Sequence, residues 1–202
     1  MIERLNLVLA GVGGQGTLVA GKLLGLVATS LGLDVRVSEV HGMAQRGGSV
    51  ITYVRMAPRV HSPIVEPGAA DIILAFEELE ALRWAHLLGK DGVLLINKSR
   101  VIPMSVGMGQ AKYPENIIGR LQEAVGKRAT VRSIDASDLA RQAGSEKSVN
   151  IVMIGAMAHY LAIPDHCFAE AINQVFPKKL QHMNQKAYRL GSDIMKEGHE
   201  DL

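Results

Sequence analysis

The chain has 202 residues, 48% apolar and 21% charged, with a net charge of +2, a balance that fits one soluble globular domain with a sizeable core. Aromatic residues make up 4% and no run of five basic residues occurs. Base stacking and a phosphate-tracking stripe both lack material, which excludes a dedicated nucleic-acid binder. The single cysteine, Cys167, excludes an internal disulfide framework and fits a reducing cytoplasm. It cannot supply the four thiolates of an iron–sulfur cluster.

Leu5 to Ala10 is an apolar run of strand length, followed by Gly11, Gly13 and Gly16 at the spacing G-x-G-x-x-G with an extra Gly14. A helical pattern starts at once. Strand, glycine turn and helix in that order are the context in which such a triplet cradles phosphate. The first glycine permits the turn, the second lets backbone approach a phosphate, and the third lets helix and strand pack closely. The helix start adds free N–H groups and a positive dipole. The same glycines would also serve a ligand-free βα turn.

Leu18, Leu23, Leu24, Val27 and Leu31 recur at helical spacing from Thr17, and Gly32 stands where helices end. Gly21 and Gly25 share one face, where the helix can approach a sheet. Seven glycines and Lys22 interrupt Leu5 to Leu33, so no membrane-spanning run forms, and no leader in signal-peptide order is visible. Asp34 to Val40 reads as a second strand, making a βαβ unit with a parallel pair.

Glu39 to Gly48, EVHGMAQRGG, then loops back at the edge of the sheet where open α/β folds bind ligands. Arg46 sets a planar cationic fork beside Gly47 and Gly48, suited to closing over a phosphate or to meeting a partner subunit. Glu39 offers a second option. Acids after this strand accept a ribose hydroxyl in NAD-binding folds, although Glu39 stands 28 residues after Gly11 where about 20 is usual.

Ser49 to Met56 reads as a strand with one wetter face at Tyr53 and Arg55, antiparallel after the long loop. Ala70 to Phe76 is a buried strand. Glu77, Glu78 and Glu80 open the next helix, where acids suit the dipole rather than a metal. Val93 to Asn97 and Ala129 to Ile134 are further strands. Glu115 to Val125 and Ala136 to Ala143 are helices, and Lys98 to Pro114 is irregular. Ile151 to Ile163 is a nearly all-apolar helix, buried or docked on another surface, and a route to self-association of the isolated chain. Pro164 stops it, Asp165 caps the next, and a last helix runs from Leu180 to Glu197. His166 beside Cys167 is no metal pair, because helix neighbours point apart. The pattern predicts a Rossmann-like, doubly wound, mostly parallel α/β sheet of about six or seven strands. The sheet domain is expected over residues 1–145 and a C-terminal helical cap over 146–202.

Taken together, GVGGQGT at Gly11 to Thr17, EVHGMAQRGG at Glu39 to Gly48, ADIILAFEELEAL at Ala70 to Leu82 and NIVMIGAMA at Asn150 to Ala158 resemble the gamma component of 2-oxoacid:ferredoxin (acceptor) oxidoreductases. The likeness covers essentially the whole chain. The Met-Ala-Gln-Arg-Gly-Gly form of the loop is most similar to the beta subunit of the indolepyruvate branch. Gly42, Met43, Ala44 and Gln45 stand where other branches carry a Tyr-Gly-Pro-Glu type loop. The resemblance implies a cytoplasmic subunit of a complex that decarboxylates a 2-oxoacid on thiamine diphosphate, forms an acyl-CoA and passes electrons through iron–sulfur clusters to ferredoxin. Thiamine diphosphate and the clusters then belong to partner subunits, since this chain lacks a Gly-Asp-Gly thiamine motif and the cysteines. Coenzyme A is the cofactor implied here, with Gly13, Gly14, Gln15 and Gly16, and by proximity Gly11 and Thr17, at its phosphates. Arg46, Gly47 and Gly48 would close the site or reach the partner. No residue is expected to be catalytic. An independent NAD or FAD oxidoreductase and a purely structural assembly subunit remain the alternatives.

Overall fold

A computed structural model of the protein describes residues 3–42 and 47–197. Six strands form one sheet in the order β2-β3-β1-β4-β5-β6: β1 (Leu5–Val12), β2 (Asp34–His41), β3 (Ser49–Ala57), β4 (Ala70–Ala75), β5 (Leu88–Asn97) and β6 (Thr130–Ile134). The β1, β4, β5 and β6 strands pair in parallel, whereas β3 is antiparallel to both β1 and β2. The expected direct parallel pair of β1 and β2 is therefore corrected. β3 is inserted between them and forms full eight-residue ladders with each, so β1 and β2 run the same way without touching. The wetter face expected of β3 is absent as well. Tyr53 is buried, and Arg55 donates to Asn6 Oδ1, Ser62 O and Ile64 O, so the following loop covers that face.

Both faces carry helices, which is why the central strands read as continuous apolar runs. On one face lie α1 (Thr17–Ser30), α5 (Ala136–Ala143), α6 (Val149–Ala158), α7 (Asp165–Val175) and α8 (Lys178–Glu197). Their core joins Leu7, Leu9 and Leu74 to Leu24, Ile151, Ile154, Phe168 and Tyr188. On the other, α2 (Glu78–Trp84) and α4 (Ile117–Val125) cover Val8, Ile73 and Leu94 with Ala81 and Leu121. A four-residue helix, α3 (Met104–Gly107), projects from the loop after β5.

Of the two glycines expected to face the sheet from α1, only Gly21 does. A Cβ there would lie 3.2 Å from Thr52 and 3.3 Å from Val37, while nothing lies within 4 Å of Gly25. The apolar helix is shorter than expected. It ends at Ala158 and passes through tight turns to Leu161. All of α6 from Asn150 to Ala158 is buried inside the chain, so the expectation that it offers a self-association surface is corrected. It crosses α8 so closely that a Cβ on Gly155 would overlap Tyr188 O and one on Gly191 would overlap Val152 O. Pro164, not Asp165, holds the N-cap position of α7. Asp165 instead accepts the Tyr188 hydroxyl at 2.7 Å.

Candidate functional site at the carboxyl edge of the sheet

The sheet order reverses between β1 and β4, the point where open α/β sheets bind ligands beyond their strand ends. The glycine loop leaves β1 here. Gly14 and Gly16 have φ of 101° and 79°, which side chains with a Cβ adopt only under strain. Gly11 is still within β1, and a Cβ on it would press on Gln15 Oε1 and the Phe76 ring at 2.8 and 3.1 Å. Gln15 is the keystone of the turn. Its Oε1 accepts from Val12 N at 2.9 Å and its Nε2 donates to Phe76 O at 3.2 Å. Alpha1 then begins at Thr17 with no side-chain cap and no acid in its first turn, leaving its first amides to solvent or an anion.

Gly48 is joined to this loop, its carbonyl accepting from Gly13 N at 2.9 Å, and Gly47 precedes it with φ of 70°. Arg46 lies outside the described residues. Glu39 reaches the loop from two strands away. Its Oε2 accepts from Thr17 Oγ1 and from Thr52 Oγ1, both at 3.1 Å. Thus Gly11, Gly13, Gly14, Gln15, Gly16, Thr17, Glu39, Gly47 and Gly48 gather on one edge.

Two cavities flank the glycine turn. One of about 390 Å³ is lined by Gly13, Gly14, Gly16, Thr17, Glu39 and His41, which puts a carboxylate beside the helix start. The other, of about 540 Å³, lies between Gly14–Gly16 and the chain from Ser137 to Asn150, with Asn97, Ser99 and Phe176. It brings in two cations, Arg141 and Lys147. Arg141 is paired with Asp138 at 3.2 Å and Glu146 at 3.1 Å. No ion pair holds Lys147 among the described residues, and it lines the cavity as an exposed side chain. Asn150 Nδ2 donates to Gly16 O at 3.1 Å, and Asn97 ties Phe76 O to Ala136 N at 3.2 and 3.0 Å.

Lys147, Ser137, Asn97 and Asn150 are absent from the sequence reading of the site. Asn150 had a signal in advance, as a polar residue opening an otherwise apolar helix. Lys147 had none, since an exposed lysine between helices is ordinary.

The acids after β4 are structural, as their helix-start position suggests. Glu77 is the N-cap of α2, accepting from Glu80 N at 2.9 Å. Glu80 accepts from Ser49 Oγ, Trp84 Nε1 and Arg83 Nε. No group of three or more metal-binding side chains occurs among the described residues. Nor is any helix among them long and apolar enough to cross a membrane. Burial, and the hydrogen bond to Glu77, push the Tyr113 hydroxyl well above its ordinary range, so it keeps its proton and donates it to Glu77.

The fold is a Rossmann-like, mostly parallel α/β domain with a glycine turn at its switch point. Residues 6–194 match the pyruvate ferredoxin/flavodoxin oxidoreductase family model, and the chain belongs to that family. It is 41% identical to an indolepyruvate oxidoreductase subunit, IorB, of Pyrococcus horikoshii, over 97% of this chain and 98% of that one. It is 40% identical to the corresponding subunit of Archaeoglobus fulgidus, covering 93% and 94%. In solved structures the fold recurs in a keto/oxoacid ferredoxin oxidoreductase gamma subunit of Geobacter sulfurreducens, with a TM-score of 0.71 at 21% identity over 96% and 99% of the two chains. It recurs also within a longer 2-oxoglutarate:ferredoxin oxidoreductase chain of Magnetococcus marinus, with a TM-score of 0.74 at 18% identity over 98% of this chain and 32% of that one. That structure was solved with 2-oxoglutarate, coenzyme A and succinyl-CoA bound.

Proposed function

We propose that this chain is the small, non-catalytic subunit of a thiamine-diphosphate-dependent 2-oxoacid:ferredoxin oxidoreductase acting on indolepyruvate or another aryl pyruvate. Its role is to bind coenzyme A and to dock onto the subunits that hold thiamine diphosphate and the iron–sulfur clusters. The observation that carries this reading is the 40–41% identity to indolepyruvate oxidoreductase subunits along nearly the full length of both partners.

Two observations support coenzyme A here over an iron–sulfur cluster. One cysteine cannot ligate a cluster. Coenzyme A presents phosphates, and the edge offers the backbone of Gly14 and Gly16 with Lys147 lining the same cavity, an arrangement that favours anions. When bound, the coenzyme supplies a thiol that accepts the acyl group. This chain's part is to hold the phosphates at the sheet edge and orient the thiol outward, towards an acyl group formed on a neighbouring subunit.

Calorimetric titration of the purified chain tests the assignment, with coenzyme A and NAD run in parallel. Coenzyme A binding without NAD binding is expected. NAD binding would replace this reading with an independent oxidoreductase, consistent with Glu39 beside the glycine edge. The chain alone should form no acyl-CoA, and adding the thiamine-bearing subunit should restore it.

A further inference from the structure

The loop after β5 carries an apolar lobe in which no residue from Ile102 to Lys112 is fully buried. Ile102, Met104 and Met108 are 57%, 80% and 61% exposed, and α3 within the lobe has no buried residue. Yet the lobe is built, not loose. Gly107 N donates to Pro103 O at 3.0 Å, and Gln110 N and Ala111 N donate to Ser105 O at 2.8 and 3.2 Å.

A buried carboxylate clamps its base. Glu77 is 1% exposed, and its Oε1 accepts from Val101 N at 3.1 Å and from Tyr113 Oη at 2.6 Å, at the two ends of the lobe. Glu78 reinforces the entry side, with Arg100 Nε donating to its Oε2 at 2.9 Å and its own amide donating to Ser99 O at 3.0 Å. Burying two carboxylates and satisfying them with lobe donors fixes in place a tip that contributes no core. Compact surface loops with closed ends are frequently functional, and exposed methionines adapt to a partner's surface.

We infer that the 102–112 lobe is a docking element for the thiamine-bearing subunit. This rests on the function proposed above. Ser99, at the base of the lobe, also lines the cavity between the glycine turn and Lys147. A protein seated on the lobe therefore lies beside that cavity. A second copy of this chain is a poor occupant. From Lys98 to Pro114 there is no acid; Arg100 is paired with Glu78, and the remaining cations, Lys98 and Lys112, set like charges against each other in self-pairing. The complementary surface is apolar at its centre and acidic at its rim.

The test uses the full chain and the thiamine-bearing subunit of the same complex, with affinity read by calorimetry. Met104→Glu with Met108→Glu should weaken that association about tenfold or more and leave the melting temperature and the isolated chain's coenzyme A affinity unchanged. Ile64→Glu, on the opposite edge, should leave the association intact. Full affinity in the double variant would overturn the docking role while leaving the proposed function standing. Failure of the unaltered chain to bind the subunit would overturn both. Lobe-dependent self-association, or lobe-dependent binding to phosphatidylglycerol vesicles in place of the subunit, would also overturn it.

Discussion

The Gln15 amide donates to the carbonyl of Phe76 at 3.2 Å, tying the glycine turn after β1 to the end of β4 across the point where the sheet order reverses. The same amide accepts from Val12 N. In this fold class that crevice admits a ligand; here a side chain fills it and the open space lies to either side. Gln15→Ala should lose both bonds and cost about 1–2 kcal/mol of stability, measured by denaturant unfolding. If the turn is the phosphate cradle, coenzyme A affinity should fall with it. Unchanged affinity in a folded variant would separate the turn from the ligand.

Gly14 and Gly16 make a matched pair for the same question. Both have positive φ, but a Cβ at Gly14 meets nothing within 4 Å, whereas one at Gly16 would sit 2.6 Å from Asn150 Nδ2. Gly14→Ala should therefore cost only the backbone strain, about 1–2 kcal/mol. Gly16→Ala should cost more, because it also displaces Asn150 from the Gly16 carbonyl. Equal losses in thermal unfolding would contradict the contact.

Tyr113 and Tyr188 set the alkaline limit. Burial, then hydrogen bonds to Glu77 and Asp165, raise both hydroxyls well above their ordinary range. The folded state keeps protons that the unfolded chain releases near pH 10, so stability is complete below about pH 10 and falls as pH rises beyond it. Melting temperatures from about pH 8 to 11 should show this drop. Tyr113→Phe with Tyr188→Phe should lower stability at neutral pH and flatten the decline.

Local patterns announced much of this protein. The limits of α1, the glycine turn and the capping role of Glu77 follow from residues adjacent in sequence, whose physics is local. What stayed hidden depends on neighbours distant in the chain. β3 lies between β1 and β2 because its ladders satisfy both edges, which no periodicity in Leu5 to Glu39 records. Gly25 has the same spacing as Gly21 but faces no sheet. Lys147 matters only because α5 and α6 bring it opposite a turn some 130 residues earlier. Gly155 sits in an apolar helix without any sign that α8 crosses there.

That crossing yields the largest stability effect expected. With Tyr188 O directly against Gly155 and Val152 O against Gly191, neither backbone can yield without separating α6 from α8. Alpha6 is buried against the sheet by Ile151, Ile154 and their neighbours. Gly155→Ala should destabilise by about 3 kcal/mol or more, in the range of core overpacking, seen as a lowered urea midpoint or as insoluble protein. A near-neutral effect would mean that the two helices can part.

If coenzyme A binds at this edge as proposed, the charges on either side of the glycine turn set which cavity takes its phosphates. Glu39 opposes an anion in the smaller cavity, whereas Lys147 attracts one in the larger. Losing one charge-assisted contact of about 1.4 kcal/mol corresponds to tenfold in affinity. Lys147→Ala should therefore raise the coenzyme A dissociation constant about tenfold with no change in melting temperature, because the side chain is exposed. Glu39→Gln retains an acceptor for Thr17 and Thr52 and removes the negative charge, so affinity should hold or rise. The reverse pattern, with Lys147 silent and Glu39 required, would move the ligand to the Glu39 side of the turn. A carboxylate there suits a ribose hydroxyl, and such a result would favour a dinucleotide over coenzyme A.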